Sequence, residues 1–371
     1  MKTPLILLTN NKYEDPFLHS QLINLYKDSD FSQIYLYSGK PETSQFISPF
    51  LLKDNYIQSK KGIVRFIYYY LSVLRLILSL KNQKPVIHLR GFVSALMFYF
   101  IPTFYMKHVN YIYDPRGAFI HGKQEAYPKF KKPLEMLRII EKSLIKHSLF
   151  TVVESKRLKD QMIGLYGLES KYEICYNVSS FSTKNEAKIN LKDKIKIRIC
   201  YCGSVNHWHD IDEIRRLYDY LNKVFKDKII ENYVFTQKRN HQIVKKCFEN
   251  FDNHLVIDFV PYYQLESKLN EMDICLSIVL PNKSTEITSP IKISDYILLN
   301  KIMVLNKGIG DFDSFFIKNK SAILFDFRKP FNFSKQDLYN LDISKNKRLK
   351  DILSIHTNKD IVFSKIKKIS Y

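Results

Sequence analysis

Short runs of aliphatic and β-branched residues alternate with stretches of helical period along the whole chain. That alternation predicts parallel α/β layers, because two strands running the same way need a crossover, usually a helix, between them. In the first half the apolar runs predict strands at Leu5–Thr9, Gln33–Tyr37, Val86–Leu89, Val109–Tyr113, Phe150–Val153 and Tyr172–Tyr176. Apolar positions recurring every three or four residues predict helices over Phe17–Tyr26, Ile63–Leu80, Val93–Ile101, Pro128–Lys146 and Lys156–Tyr166. Ser155 stands where an N-cap would open the last of these.

The pattern then breaks. Asn177 to Lys194 is polar and aperiodic, which predicts a linker. A second series follows, with strands expected at Ile197–Cys202, Tyr233–Thr236, Leu255–Val260, Ile274–Val279, Ile302–Leu305 and Ala322–Phe325. Helices are expected over Ile211–Phe225, Asn240–Phe251, Tyr263–Met272, Pro290–Asn300 and parts of the tail beyond Lys335. The division predicted is a first domain over 1–180, a linker at 181–194 and a second domain over 195–371, its tail free to pack back on the first. Two parallel α/β units joined by a polar linker leave a cleft between them, and ligands of such sheets bind beyond the carboxyl ends of strands. The chemistry is therefore sought in loops that follow strands.

Composition changes this picture little. At 371 residues with 45% apolar content, the chain can bury two cores. The formal charge of +21 favours anionic partners. The lysines are scattered, no basic block forms a nucleic-acid arm and no zinc-finger spacing occurs, so nucleic acid is not expected as a partner. The odd cysteine count, Cys175, Cys200, Cys202, Cys247 and Cys275, with three inside apolar runs, predicts reduced thiols in a cytoplasmic protein. The opening Met1–Leu8 is too short for a signal peptide and reads as a first core strand. Phe92–Met106 is short for a membrane span and interrupted by Pro102, and Ile63–Leu80 contains Arg65 and Arg75. The latter carries a basic stripe beside a wide apolar face, which suits a helix buried against a sheet and also one lying on an anionic membrane.

Four loops could carry chemistry. After Tyr113 come Asp114, Pro115, Arg116 and Gly117, a carboxylate and a guanidinium two residues apart in a tight turn. They could orient a sugar hydroxyl and a phosphate, or pair locally and pin the loop. Arg90 ends the preceding strand and would emerge beside them, with His121 and Glu125 downstream. In the second half Gly203 and Ser204 follow a strand and permit close backbone approach to a phosphate, ahead of a helix opening near Asp210. Trp208 could stack on a ligand or cover that helix. His207 and His209 have no zinc-type spacing with a cysteine, so no metal is expected. The stretch from Glu286 to Tyr296 is the most informative. Ser289 is a suitable N-cap, Pro290 a suitable first helical residue, and Lys292 lies in the first turn. Such a helix terminus suits a diphosphate, and Asp295 could accept the hydroxyls of a ribose.

In order and spacing these stretches resemble the GT-B glycosyltransferases, in particular the large retaining family 4, which contains many bacterial capsule and lipopolysaccharide enzymes. The residues are Asp114–Gly117, Glu141–Leu144 through Val152–Ser155, Tyr176-Asn177, Tyr201–Ser204, Met272–Leu276 and Ser289–Tyr296, followed by Lys301–Leu305 and Gly308–Gly310. Ser289–Tyr296 is similar to the family's helix that holds the nucleotide. The resemblance implies an α/β fold of two Rossmann-like domains facing each other across a cleft. It also implies metal-independent transfer of a sugar, with retention, from a nucleotide diphosphate sugar to a glycan or polyprenyl-linked acceptor.

No cofactor is implied beyond that co-substrate, and the basic charge is compatible with peripheral contact at the inner face of an anionic plasma membrane. By the resemblance Asp295 binds ribose; the loop and helix terminus make Gly203, Ser204, Lys292, Ser289, Pro290 and Ile291 the candidates for the diphosphate, and Asp114, Arg116 and Lys292 the catalytic candidates. Asp114, Arg116, Arg90, Gly117 and His121 line the sugar or acceptor side. The chain departs from the pattern at three places. Ile287 stands eight residues before Asp295 where an acid is usual, with Glu286 one step away. Asn10-Asn11-Lys12 replaces a Gly-rich loop. The basic pair expected after Gly203 is missing, and Lys292, or Lys238 with Arg239, would substitute. A sugar-nucleotide epimerase of similar build and a non-catalytic membrane-associated subunit of a polysaccharide assembly complex remain alternatives.

Overall fold

The computed structural model describes residues 3–9, 18–27, 29–37, 63–101, 109–126, 129, 131–181, 189–205 and 208–367, some helical side chains apart. The chain forms two compact units, Met1–Tyr176 with Ile355–Tyr371, and Asn177–Ser354.

The first unit is built on six parallel strands: β1 (Leu5–Thr9), β2 (Ile34–Tyr37), β3 (Val86–Arg90), β4 (Asn110–Asp114), β5 (Thr151–Val153) and β6 (Tyr172–Ile174). They lie in the order β2-β1-β3-β4-β5-β6. Every residue of β1 and β3 is buried, which is why these strands read as continuous apolar runs and not as alternating ones. Among the described residues the connections hold a helical segment at His19–Tyr26 and the helices α1 (Ile63–Leu80), α2 (Phe92–Tyr99), α3 (Phe119–Ala126), α4 (Lys131–His147) and α5 (Lys156–Tyr166). The cap expected at α5 is present, with Ser155 Oγ accepting from the Leu158 amide at 2.9 Å. The C-terminal helix, Ile355–Lys367, belongs to this unit. Val362 and Ile366 enter its core, Phe363 meets Tyr26 edge-on at 5.8 Å, and Asn358 Nδ2 donates to the Tyr176 carbonyl at 2.9 Å.

Val73, Ile77 and Leu80 of α1 are buried while Ile67 and Leu71 are exposed, so the helix has one packed face and one bare apolar face. Among the described residues no helix is long and apolar enough to cross a membrane.

The second unit repeats the plan with β7 (Lys196–Cys202), β8 (Ile229–Phe235), β9 (Leu255–Asp258), β10 (Ile274–Ser277), β11 (Ile302–Asn306) and β12 (Ile323–Phe325). Their order is β12-β11-β10-β7-β8-β9, all parallel. Here β8 begins at Ile229, earlier than its apolar run suggests, because Ile229 and Ile230 pair with Lys196 and Ile197 of β7. The described helices are α6 (Ile211–Val224), α7 (His241–Cys247), α8 (Tyr262–Asn270), α9 (Ile291–Leu298) and α10 (Asp313–Asn319), followed by two short ones in the tail, Lys335–Tyr339 and Lys347–Ile352.

One expectation shifts. The polar stretch after Tyr176 packs on the second unit and does not stand free. The Asn177 and Ser179 amides donate to Ser289 Oγ (3.3 Å) and Ser294 Oγ (2.9 Å), and Leu191 lies in the core. The five cysteines are free thiols, with Cys200 Sγ 3.9 Å from Cys275 Sγ across β7 and β10.

Candidate functional site

In the second unit the strand order runs outward both ways from β7 and β10, which makes that pair the topological switch point. Connections leave a switch point in opposite directions, so the loops after the two strands part and open a crevice. The loop after β7 carries Gly203, and the loop after β10 leads into α9.

Gly203 has φ +153°, and a Cβ placed on it would lie 2.8 Å from Lys292 Nζ and 3.0 Å from Cε. The glycine therefore makes room for the lysine of the facing helix. Lys292 Nζ sits 3.3 Å from the Tyr201 hydroxyl and 4.4 Å above its ring. The Tyr201 hydroxyl itself donates to the Ser204 carbonyl at 2.8 Å. No carboxylate forms an ion pair with Lys292 among the described residues, and desolvation lowers its pKa to about 8. A desolvated ammonium resting on a ring face and a phenol, without a counter-ion, has the electrostatics of an anion site.

Asp295 lies one turn further along α9, only 5% exposed. Its Oδ1 is buried and has no hydrogen-bond partner among the described residues. Burial raises its pKa to about 7, against the hydrogen bond from Ser179, and the nearby Glu266 raises it further. A buried carboxylate with one unused oxygen suits a pair of hydroxyl donors.

Pro290, not Ser289, is the N-cap of α9, and no side chain caps that terminus. Ser289 is drawn away by Asn177, whose amide meets its Oγ and whose Nδ2 donates to its carbonyl at 2.7 Å. Ile291 opens the helix, and the Ile293 amide turns back to the Pro290 carbonyl at 3.1 Å. Asn177–Phe181 thus forms a strap across the start of α9. It continues to α8, where Ser180 Oγ lies 2.6 Å from the Tyr262 hydroxyl and Phe181 stacks on its ring at 5.7 Å.

The remaining candidates of this unit sit nearby with different exposure. Glu286 is exposed, and Ile287, which takes the usual acid's place, is buried. The Glu286 carbonyl accepts from Gly310, and a Cβ at Gly310 would lie 2.8 Å from the Thr288 carbonyl oxygen. Lys238 is exposed after β8, 5.8 Å from the Phe259 ring, with Arg239 beside it. Ser204 Oγ lies 3.4 Å from His209 Nδ1. Asp210 caps α6 with its own carboxylate, accepting from Asp212 and Glu213 at 3.1 Å, so its first-turn amides are engaged. Trp208 is 46% exposed. His207 lies outside the described residues, as do Asn10, Asn11 and Lys12.

The first unit gathers a separate polar cluster at the carboxyl ends of β3, β4 and β5. Arg90 Nη1 meets Asp114 Oδ2 at 2.8 Å, His88 Nε2 faces the same oxygen at 3.6 Å, and Tyr26 Oη lies 2.8 Å from His88 Nδ1. Burial works to raise the Asp114 pKa, but Arg90, His88 and Arg116 together hold it well below the usual carboxylate range. Burial also lowers the His88 pKa, against the pull of Asp114. Arg116 pairs with Glu154 at 3.4 Å, in a turn where Arg116 (φ +56°) and Gly117 (φ +95°) are both left-handed. Asp114 and Arg90 are thus buried partners of each other, and Arg116 is the member nearer solvent. His121 and Glu125 fall on α3, with side chains outside the described residues.

Sequence reasoning missed Ser179 and Tyr262, and gave no role to Tyr201 and Asn177 although both stand in the stretches that carry the resemblance. Tyr201 sits in an apolar strand run and the other three read as linker or helix surface, so only the fold reveals their convergence. Among the described residues, no three His, Cys, Asp or Glu side chains gather as a metal ligand set.

No family model matches the chain, and no curated protein matches it in sequence. Solved structures do. The lipopolysaccharide outer core galactosyltransferase WaaB is 13% identical with TM-score 0.60, covering 98% of this chain and 100% of that one. HepE of Anabaena, in complex with UDP-glucose, is 11% identical with TM-score 0.61 and 99% coverage of both chains. Sucrose-phosphate synthase of Thermosynechococcus elongatus is 9% identical with TM-score 0.58, covering 96% of this chain and 93% of that one. At such identities the likeness is one of fold: the chain has the two-domain α/β architecture of the GT-B glycosyltransferases.

Proposed function

We propose that the protein is a glycosyltransferase that binds a nucleotide diphosphate sugar at the β7–β10 switch point of its second unit. The observation that carries this reading is the pair on α9: a desolvated ammonium in no ion pair and, one turn away, a buried carboxylate with an unpartnered oxygen, both among the described residues. Diphosphate and ribose carry the complementary groups. Asp295 accepts the ribose hydroxyls. Lys292 and the first-turn amides of α9 at Ile291 hold the diphosphate, with Ser204 and Lys238 at the rim. As the glycosidic bond breaks, negative charge grows on the departing diphosphate. A fixed ammonium and helix dipole in a poorly hydrated site stabilise that charge more than they stabilise the bound donor.

The structures of HepE with UDP-glucose and of S. aureus MnaA with UDP support a uridine nucleotide as the first donor to test. The resemblance to family 4 supports retention without a metal, and a glycan or polyprenyl-linked acceptor in surface polysaccharide synthesis at the inner membrane face. In the first unit Arg116 and Gly117 are the groups placed to meet the sugar or acceptor, with Arg90 and Asp114 positioning them.

The test is calorimetric titration of a nucleotide and nucleotide-sugar panel, followed by transfer assays with the donor that binds. A donor that binds wild type and is lost in Lys292→Ala and Asp295→Ala supports the reading. Equal binding by the variants removes the proposed site, and release of an altered free sugar nucleotide without acceptor makes the protein an epimerase.

A further inference from the structure

The strap across α9 carries a serine to which the donor chemistry assigns no part. Ser179 is buried, its amide donates to Ser294 Oγ at 2.9 Å, and its own Oγ accepts from the Phe181 amide at 3.1 Å. Ser294 is itself fully buried and immediately precedes Asp295 on α9. The far end of the strap is fastened to α8, where Ser180 and Phe181 both meet Tyr262. A serine tied at its amide and at its oxygen no longer has the freedom of a linker residue.

Its one hydroxyl hydrogen goes to the Asp295 carboxylate. Oδ1 is the oxygen with no partner among the described residues, so the Ser179 bond falls on Oδ2. The carboxylate torsion of an Asp is broad, and a bond on one oxygen sets where the other points. A hydroxyl donated to a carboxylate also favours its charged form. The surroundings press the other way. Burial favours the proton and Glu266 of α8 adds like charge, while Lys292 of the same helix opposes them beside Ser179. Tyr262 of α8 and the Cys202 thiol of β7 also face the carboxyl, each with its pKa pushed up to about 12 by burial. A protonated carboxyl would present a donor where a ribose diol needs an acceptor.

We propose that Ser179 is a positioning residue for nucleotide binding: its hydroxyl orients Asp295 and keeps it charged, so that Oδ1 meets the ribose diol. This rests on the nucleotide-sugar reading of α9 and adds to it a residue that acts through Asp295.

The experiment is calorimetric titration of UDP, ADP, GDP and CDP into the full chain, with the tightest carried from about pH 5 to pH 9. Wild type is compared with Ser179→Ala, Asp295→Asn and the double variant, each checked for native circular dichroism. Wild-type affinity rises through the Asp295 midpoint at about 7 and falls again as Lys292 loses its proton at about 8. In Ser179→Ala the affinity near neutral pH drops at least about tenfold, and the acid limb moves to higher pH while the alkaline limb stays. In the Asp295→Asn background the same change costs less than about threefold. A serine that merely pins the strap would lower affinity equally in both backgrounds and leave the acid limb in place. That result, or wild-type affinity in Ser179→Ala, overturns the proposal while the nucleotide site stands. Failure of wild type to bind any of the four, or equal binding by Asp295→Asn, overturns the nucleotide reading and the proposal with it.

Discussion

Replacing Asp295 by Asn should move stability and ligand binding in opposite directions. The carboxyl is buried, and its pKa rises from 3.8 to about 7. At about 1.4 kcal/mol for each tenfold change in proton affinity, keeping it ionised above neutral pH costs the folded unit about 4 kcal/mol. That cost is already net of the hydrogen bond from Ser179, so Asn, which carries no charge, gains up to about 4 kcal/mol. For a unit of this size that is up to roughly 8–16 °C in Tm at pH 8. The folded carboxyl holds its proton more tightly than the unfolded one. Its contribution is therefore fully present below pH about 4 and is lost as pH rises to about 7, a slope the variant lacks. Ribose recognition requires the charged acceptor, so the same change weakens donor binding by about 1.5–3 kcal/mol, on the order of ten to a hundredfold in Kd. Differential scanning calorimetry at pH 5 and pH 8, with and without nucleotide, reads both effects. An Asn variant less stable than wild type at pH 8, or one that binds nucleotide equally well, refutes the argument.

Gly203→Ala places a methyl 2.8 Å from Lys292 Nζ and must displace the ammonium. Nucleotide affinity should fall at least about tenfold while circular dichroism stays native, which titration checks. Asp114→Asn leaves Arg90 buried without its counter-ion and should cost about 3–5 kcal/mol in urea unfolding, where a loss below about 1 kcal/mol would mean that water reaches the cluster. Ile366→Ala opens a hole where the C-terminal helix fills the first unit's core and should cost about 2–4 kcal/mol. Nucleotide binding by the second unit should be unchanged, and a matching loss there would show the two units to be one cooperative block.

The fold was largely legible because its strands are buried on both faces, so apolar runs such as Leu5–Thr9 and Ile302–Asn306 announce themselves without periodicity. The helices α3 and α10 escaped notice, since Gly122 interrupts one and only Phe315 to Ile317 is apolar in the other. Lys292 and Asp295 were visible as a charged pair near a helix start. Their surroundings were not, because polarity in a sequence does not say whether a segment faces water or another backbone. Asn177–Phe181 looks like linker and instead spends its hydrogen bonds on Ser289 and Ser294, which also moves the cap of α9 to Pro290. Likewise nothing local to Asp114 says that its partner is Arg90, a strand away, and not Arg116.

The most direct test is a crystal structure with UDP or a UDP-sugar bound. The account predicts diphosphate oxygens within hydrogen-bond reach of Lys292 Nζ beside Gly203, and ribose hydroxyls on Asp295 Oδ1. A nucleotide seated elsewhere, with Lys292 still resting on Tyr201 and Asp295 Oδ1 still without a donor, would contradict it.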